Sequence, residues 1–512
     1  MRTGKIRQGI SLSQGLLGAT TRKVLQHYLI RFSEIGTKAP GTRRYFLRIL
    51  ERNIRDMLAR GGVSGDLEIS SALRGFLVSD DERAPDFLRR IFGIRSFSAV
   101  TEKHCTTPEE IAAEGERQFR ERVTGKRFAV RARRAGTHPF TSLDIEAALG
   151  ERLAVFGTVD LDTPEVVASV EVRSQRIFFF SKVVSGPGGL PLGTQGRALA
   201  LISGGFDSAV AAWFLMKRGV SCDYCFFNLG GPIHEEGALR VVKTLADRWQ
   251  YGDDPAIIVV PFAPVVRAIR QRVRGPFWNL VLKRAMLDLA FRIAAERGLE
   301  AVMVGDALGQ VSSQTLKNLR ALGEGPMPIL RPLLSFDKDE IVAKARSIGT
   351  ADLSAAVKEY CALVPWHPVT AASPFMLAAE RQKLDSAVLD AAFSERRTLT
   401  LRRLTFGAES ALAEVATPYI PEGARLIDLR EAEEYRQWHA PLAQRLSSAD
   451  AFASLDRLDS SQPLLFYCTY GLLSAELAYE ARKRGLAAWS FSGGVEALRT
   501  ALKLSNRQSA HE

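Results

Sequence analysis

Between residues 25 and 106 apolar positions alternate over short runs, then recur at helical spacing. LQHYLIRF and FSAVTEKH read as strands at the two ends of this stretch. From Thr42 to Arg60 a helix places Phe46, Ile49, Asn53 and Met57 near one face, with Arg44, Arg48, Arg52 and Arg55 elsewhere. A second helix near PDFLRRIF completes a β-α-β-β-α-β order, which is ferredoxin-like. Residues 107–185 predict a helix from Pro108 to Val123, the strand RFAVRARRAG, a helix announced by the capping pair Thr141 and Asp144, and a hairpin turning at Ser174-Gln175. The Gly/Pro-rich stretch 186–196 is a linker. Across 197–400 strand, turn and helix repeat through ALALI, DYCFFNL, AIIVVPF and AVMVGD, predicting a doubly wound parallel sheet that ends in a helical connector. Residues 401–512 repeat the alternation on a smaller scale with RLIDLR, PLLFYC and AAWSFSGG, and residues 1–24 read as a flexible basic tail. The fold expected is α/β and multidomain.

Composition narrows the function. No apolar run reaches the roughly 18 residues that span a bilayer, so no membrane segment is expected. Five cysteines, an odd count in a chain of 512, argue against a secreted disulfide framework and for a reducing cytoplasm. The seven histidines do not cluster at ligand spacing, so no metal site is expected. The net charge is +12, and residues 1–185 carry 31 Lys+Arg against 22 Asp+Glu, about +9 of it. A basic first third joined to a near-neutral remainder points to a polyanionic partner, with nucleic acid first.

Two loops carry candidate chemistry. In Ser203-Gly204-Gly205-Phe206-Asp207-Ser208 the glycines let backbone amides approach an anion, and a helix expected to begin near Ala209 aims its dipole at the same point. Asp207 would repel phosphate unless Mg²⁺ or a substrate proton lay between them. Downstream, Lys283 and Arg284 stand early on a helix; Gly305, Gln310 and Gln314 follow a strand at the sheet edge where α/β folds bind ligands. Asp337 reads as an N-cap with Lys338 in the first turn, a dipole mismatch unless the lysine faces an anion. In the last domain Cys468 sits between a strand end and a helix N-terminus, which favours a thiolate or persulfide. Cys361 is a candidate resolving thiol only through the company of Cys468. Cys222 and Cys225 have no second pair and read as buried strand cysteines.

LISGGFDS resembles the PP-loop of N-type ATP pyrophosphatases, and LIDLREAEEYRQWH with CTYGLLS resembles a rhodanese domain whose loop carries no arginine. Together with RRAGTHPFTSLD, similar to a THUMP module, and with CFFNLGG, LKRAM, GDALGQVSSQT and EYC, the chain resembles the ThiI family of tRNA uracil 4-sulfurtransferases over about residues 25 to 500. The resemblance implies ATP, with Mg²⁺, held by Leu201, Ile202, Ser203, Gly204, Gly205, Asp207, Ser208, Phe226, Lys283, Gly305 and Gln314. It implies tRNA gripped through Arg131, Arg133 and Arg134, and O4 of the uridine at position eight adenylated with help from Asp207 and Lys338. It implies a Cys468 persulfide loaded by a cysteine desulfurase, a Cys361–Cys468 disulfide left behind, and sulfur passed also to the ThiS carrier protein. Two alternatives stay open: a PP-loop enzyme thiolating another tRNA base, and a rhodanese persulfide carrier whose upper domains only tether RNA.

Overall fold

The strand Ile94–His104 serves two halves of one sheet. Its first part pairs with Gln26–Phe32, His27 opposite Val100, and its last part with Arg176–Phe180, Thr101 opposite Phe179. In this computed structural model, which describes residues 25–508 apart from 71–73, 324, 358–366, 407–409, 456–457 and 459–461, the result is a nine-stranded sheet. The tail 1–24 and Cys361 lie outside the described residues.

From one edge that sheet runs Asp66–Ser70, Arg74–Ser79, Gln26–Phe32, Ile94–His104, Arg176–Phe180, Val166–Arg173, Arg127–Ala135 and Thr158–Val159, with Val184–Ser185 paired off the path. The ferredoxin-like helix Pro40–Gly61 opens with proline in its first turn and buries Phe46, Leu47, Leu50, Asn53, Ile54, Met57 and Leu58. In the THUMP half, Pro108–Val123 and Ser142–Leu153 cover the sheet, the second behind the reciprocal Thr141–Asp144 capping box. Ser174 makes the hairpin turn with φ 53°.

The two halves share a charged seam. Glu171, 1% exposed, accepts hydrogen bonds from Arg31 (3.2 Å), Arg74 (2.8 Å) and Arg173 (2.7 Å). Burial works against its ionisation, but Arg74, Arg31 and Arg173 hold the carboxyl below the usual range.

Beyond the linker a six-stranded sheet has the order Ile329–Leu330, Ala301–Met303, Arg197–Ile202, Ser221–Asn228, Ala256–Pro261 and Arg397–Thr400, parallel except for the last strand. The first and last are too short to show in the hydrophobic pattern. One face packs on Phe206–Lys217, Pro232–Trp249 and Lys338–Ile348, the other on Ala263–Arg272 and Trp278–Glu296, so the sheet is doubly wound. Strand order reverses at Arg197–Ile202, which places a crevice at its carboxyl end.

Phe92 of the ferredoxin-like unit enters this core and meets Trp213 at 5.5 Å and Trp249 at 5.6 Å between ring centroids. Ion pairs Arg218–Glu34 (2.8 Å), Arg60–Asp247 (3.2 Å) and Arg402–Asp56 (3.0 Å) frame the contact. The last unit is a five-stranded parallel sheet, Ala416–Thr417, Ala488–Phe491, Leu464–Tyr467, Arg425–Asp428 and Gln444–Arg445. Arg430, 8% exposed, donates to Asp428 at 2.7 Å and to the Trp438 carbonyl at 2.6 Å, which explains the Asp-x-Arg pair as a buried brace. Among the described residues no helix is long and apolar enough to cross a membrane.

Glu171→Ala removes the acceptor that three guanidinium groups share at the seam. The expected cost is on the order of 3–5 kcal/mol, read as a fall in urea midpoint, whereas an unchanged midpoint would show the cluster to be solvated.

Candidate active site

The strand Arg197–Ile202 leads through Ser203-Gly204 into the helix Phe206–Lys217. The helix starts ahead of the expected Ala209, with Gly205 as N-cap, so Asp207 and Ser208 stand in its first turn. No side chain caps it, and so no capping residue announced the boundary. The loop is instead closed by its own hydroxyls: Ser203 Oγ accepts from the Gly205 amide (3.3 Å) and Ser208 Oγ from the Ser203 amide (3.2 Å). The first-turn N–H groups keep no intrahelical acceptor, which is the condition for holding an anion. Gly204 has φ +85°, a conformation that L side chains rarely adopt.

A cavity of about 250 Å³ opens at this point. Leu201, Ile202, Ser203, Asp207 and Ser208 supply its loop side, Phe226 comes from the next strand, and Lys283, Gly305 and Gln314 close it from across the sheet. Gly204 and Gly205 shape the loop behind this lining. Gly305 is needed for a close approach: a Cβ there would meet the Ser208 amide nitrogen at 2.8 Å. Phe227, Leu229, His234, Met286 and Asp306 also line the cavity and were not singled out from the sequence.

Each lysine is held by a carboxylate. Lys338, in the first turn behind an Asp337–Glu340 capping box, donates to Asp207 at 2.9 Å, which resolves the dipole mismatch. Gln310 donates to the other Asp207 oxygen at 2.8 Å. Asp306, 7% exposed, receives Lys283 (3.0 Å), Gln314 (3.1 Å) and Arg331 (3.4 Å). Burial raises its pKa, but Lys283 foremost, with Gln314 and Arg331, brings it below the ordinary carboxyl value. Asp306 follows a three-residue strand and looks like loop in the sequence; only the fold reveals it as the anchor of two site residues.

The wall of the cavity is also the floor under the rhodanese unit. His234 lines the cavity and, with Ile233, Ala356 and Val357, faces Leu472, Leu473 and Glu476. A Cβ on Gly204 would meet Val357 Cγ1 at 2.8 Å, and one on Gly237 would meet Val357 Cγ2 at 2.9 Å and Leu472 Cδ2 at 3.2 Å. Val357 and Gly237 therefore stand in series between the glycine loop and the cysteine loop. Burial pushes the His234 imidazole down to about 4, against a hydrogen bond with the Ser203 backbone that acts to raise it.

Cys468 follows the strand Leu464–Tyr467 and precedes the helix Leu472–Lys483, which starts two positions before the expected Ser474. Its sulfur accepts the Gly471 amide hydrogen at 3.1 Å and lies 3.4 Å from Ser474 Oγ. The residue is 6% exposed in this arrangement. Cys222 and Cys225 are fully buried in their strand, and burial pushes both thiols far up. Arg131, Arg133 and Arg134 are exposed on Arg127–Ala135, far along the chain from the cavity, and Arg131 donates to the Leu161 carbonyl at 2.7 Å.

Family models match in chain order: a ThiI ferredoxin-like domain over residues 27–98, a THUMP domain over 105–181, the thiamine biosynthesis protein ThiI over 193–386 and a rhodanese-like domain over 412–501. A tRNA sulfurtransferase of Pyrobaculum aerophilum is 39% identical over 90% of this chain and 96% of its own. The chain belongs to the tRNA sulfurtransferase family. Another tRNA sulfurtransferase, of Edwardsiella ictaluri, is 34% identical over 89% of this chain and 97% of its own. A solved 4-thiouridine synthetase–RNA complex with bound ATP superposes with TM-score 0.62 at 30% identity, covering 73% of this chain and 99% of that one. PH1313 from Pyrococcus horikoshii shares the fold at TM-score 0.51 and 24% identity, over 63% and 99% of the chains. As a tRNA sulfurtransferase the protein is an enzyme that transfers sulfur to tRNA in 4-thiouridine synthesis.

The depressed His234 value carries a sign. Above 6.5 the folded and unfolded states both hold a neutral ring. As pH falls from 6.5 to about 4 the unfolded chain takes the proton first, so stability drops, by up to about 3 kcal/mol. Urea midpoints followed by tryptophan fluorescence check this, and His234→Gln should remove that component of the acid sensitivity. A variant as acid-sensitive as the native chain over this window would refute the assignment.

Proposed function

We propose that the enzyme activates O4 of the uridine at position eight of tRNA with ATP and replaces it with sulfur carried by Cys468. The observation that carries this reading is a series of close approaches, Gly204 to Val357, Val357 to Gly237 and Gly237 to Leu472, which leads from an anion cradle to the loop that holds Cys468.

ATP fits the cavity on two grounds. The uncapped helix start offers amide donors to phosphate, and Gln314 Oε1 is buried without a hydrogen-bond partner, an acceptor that a purine amino group would satisfy. Lys283 and Lys338 supply positive charge, and Asp207 is the carboxylate that would turn from Lys338 and Gln310 to Mg²⁺ arriving with the triphosphate. The uridine O4 displaces pyrophosphate from the α-phosphorus. The outer sulfur of a Cys468 persulfide attacks C4, AMP leaves with the former O4, and the Cys361 thiolate takes the inner sulfur. This forms a C4–S bond and a Cys361–Cys468 disulfide that cellular reductants reopen. Cys361 lies four residues beyond Val357, a span of chain that reaches at most about 14 Å. Because Cys468 is 6% exposed, loading and delivery require Leu472 and Leu473 to part from Ile233 and Ala356. A cysteine desulfurase supplies the persulfide, and the same sulfur serves the ThiS carrier protein. Arg131, Arg133 and Arg134 contact the tRNA backbone in the reducing cytoplasm.

Single-turnover thiolation of unmodified tRNA, with nucleoside mass analysis, tests the scheme. Cys468→Ser and Asp207→Ala should each abolish 4-thiouridine, on the order of 10³-fold or more for the cysteine. Cys361→Ser should leave no interdomain disulfide on non-reducing peptide maps. Thiolation intact in Asp207→Ala would instead support a persulfide carrier with an RNA tether, and a thiolated base other than uridine eight would support the other enzyme.

A further inference from the structure

The rhodanese loop lacks a cation, yet it must stabilise a negatively charged sulfur. Among the described residues two donors approach Cys468 Sγ: the Gly471 amide at 3.1 Å and the Ser474 hydroxyl at 3.4 Å. An amide has one direction to give. A hydroxyl has one proton and a choice of acceptors, and Ser474 has three within reach: the sulfur, the Gly471 carbonyl at 3.1 Å and Ser490 Oγ at 2.8 Å. All of this is dry, since Ser474 is 0% and Ser490 1% exposed, so no solvent supplies a missing donor.

Ser490 lies on Ala488–Phe491, beside the strand Leu464–Tyr467 that leads into Cys468, with Phe466 opposite Ser490. Its hydroxyl reaches both Ser474 Oγ and the Gly471 carbonyl at 3.1 Å. That carbonyl accepts two bonds, and the Ala475 amide already fills one at 3.1 Å. One place is left for which the two serines compete. With both present, Ser490 fills it, and of the two acceptors left to Ser474 a negatively charged sulfur draws the proton more strongly than the neutral Ser490 Oγ. With Ser490 gone, a single hydroxyl proton must serve the carbonyl and the sulfur.

We propose that Ser490 is a positioning residue that satisfies the Gly471 carbonyl and so commits the Ser474 hydroxyl to the Cys468 sulfur. This rests on the reading of Cys468 as the sulfur-bearing residue. It gives the arginine-free loop a second-strand source of polarity, and it assigns a role to a serine 22 positions beyond the cysteine. The gain is that of one neutral hydrogen bond redirected to an anion, about three- to tenfold in thiolate reactivity.

The test is alkylation of the full chain with iodoacetamide, read on the Cys468 peptide by mass spectrometry across pH. Ser490→Ala should slow modification about three- to tenfold at neutral pH and displace the profile to the alkaline side, with the high-pH plateau unchanged. Ser474→Ala should do at least as much, and adding Ser490→Ala to Ser474→Ala should change nothing further. An equal fall in both backgrounds, a change confined to the plateau, no change at all, or loss of cooperative melting in Ser490→Ala each overturns the relay. Thiolation by Cys468→Ser separates the two readings. If that variant still makes 4-thiouridine, the sulfur assignment itself fails; if it is dead while Ser490→Ala alkylates normally, only the relay fails.

Discussion

One helix constrains the rest of the molecule. Phe206–Lys217 is apolar on nearly every side, so it is buried, and its position is fixed by packing on all its faces. Its N-terminus makes the anion cradle. Its Trp213 receives Phe92 and thereby carries the ferredoxin-like and THUMP units. Gly204, in the turn before it, packs on Val357, which packs on Gly237, and Gly237 in turn faces Leu472 of the rhodanese unit. Nucleotide, RNA and sulfur modules are thus referred to a single rigid element, and displacement of that element by one module is felt by the other two.

The same molecule handles charge in two ways. In the nucleotide cavity every candidate cation is already paired, Lys338 with Asp207 and Lys283 with Asp306. The pairs keep lysines extended toward the site and prevent an empty cavity from holding bare positive charge. Among the described residues the rhodanese loop has no such pair. Polarity comes from an amide and two hydroxyls, weaker donors that can be redirected at little cost.

Much of this was legible in the residues. SGGFDS at a strand–helix junction, the Thr141–Asp144 capping pair, the Asp337 N-cap and the hairpin at Ser174 are local signals, each with a local physical cause. The cavity gathers nominated residues from four motifs: LISGGFDS, CFFNLGG, LKRAM and GDALGQVSSQT. What stayed hidden is what depends on distance along the chain. Asp306 matters only once the sheet sets it against Lys283, and His234 only once Pro232–Trp249 becomes a shared wall. The Arg402–Asp56 pair joins residues 346 apart, for which no periodicity exists. The start of Phe206–Lys217 was missed because glycine caps it without a side-chain signal, and the edge strands Ile329–Leu330 and Arg397–Thr400 are too short to impose a period.

The shared strand Ile94–His104 has a consequence for the chain as it leaves the ribosome. Its proximal half finds Gln26–Phe32 already made, but its distal partner, Arg176–Phe180, emerges more than seventy residues later. Until then a row of unsatisfied backbone donors and acceptors faces outward, open to pairing with any extended segment nearby. Translation speed across that interval therefore bears on yield: the nascent protein is most vulnerable to aggregation after the first module has closed and before the second has docked on the same ribbon.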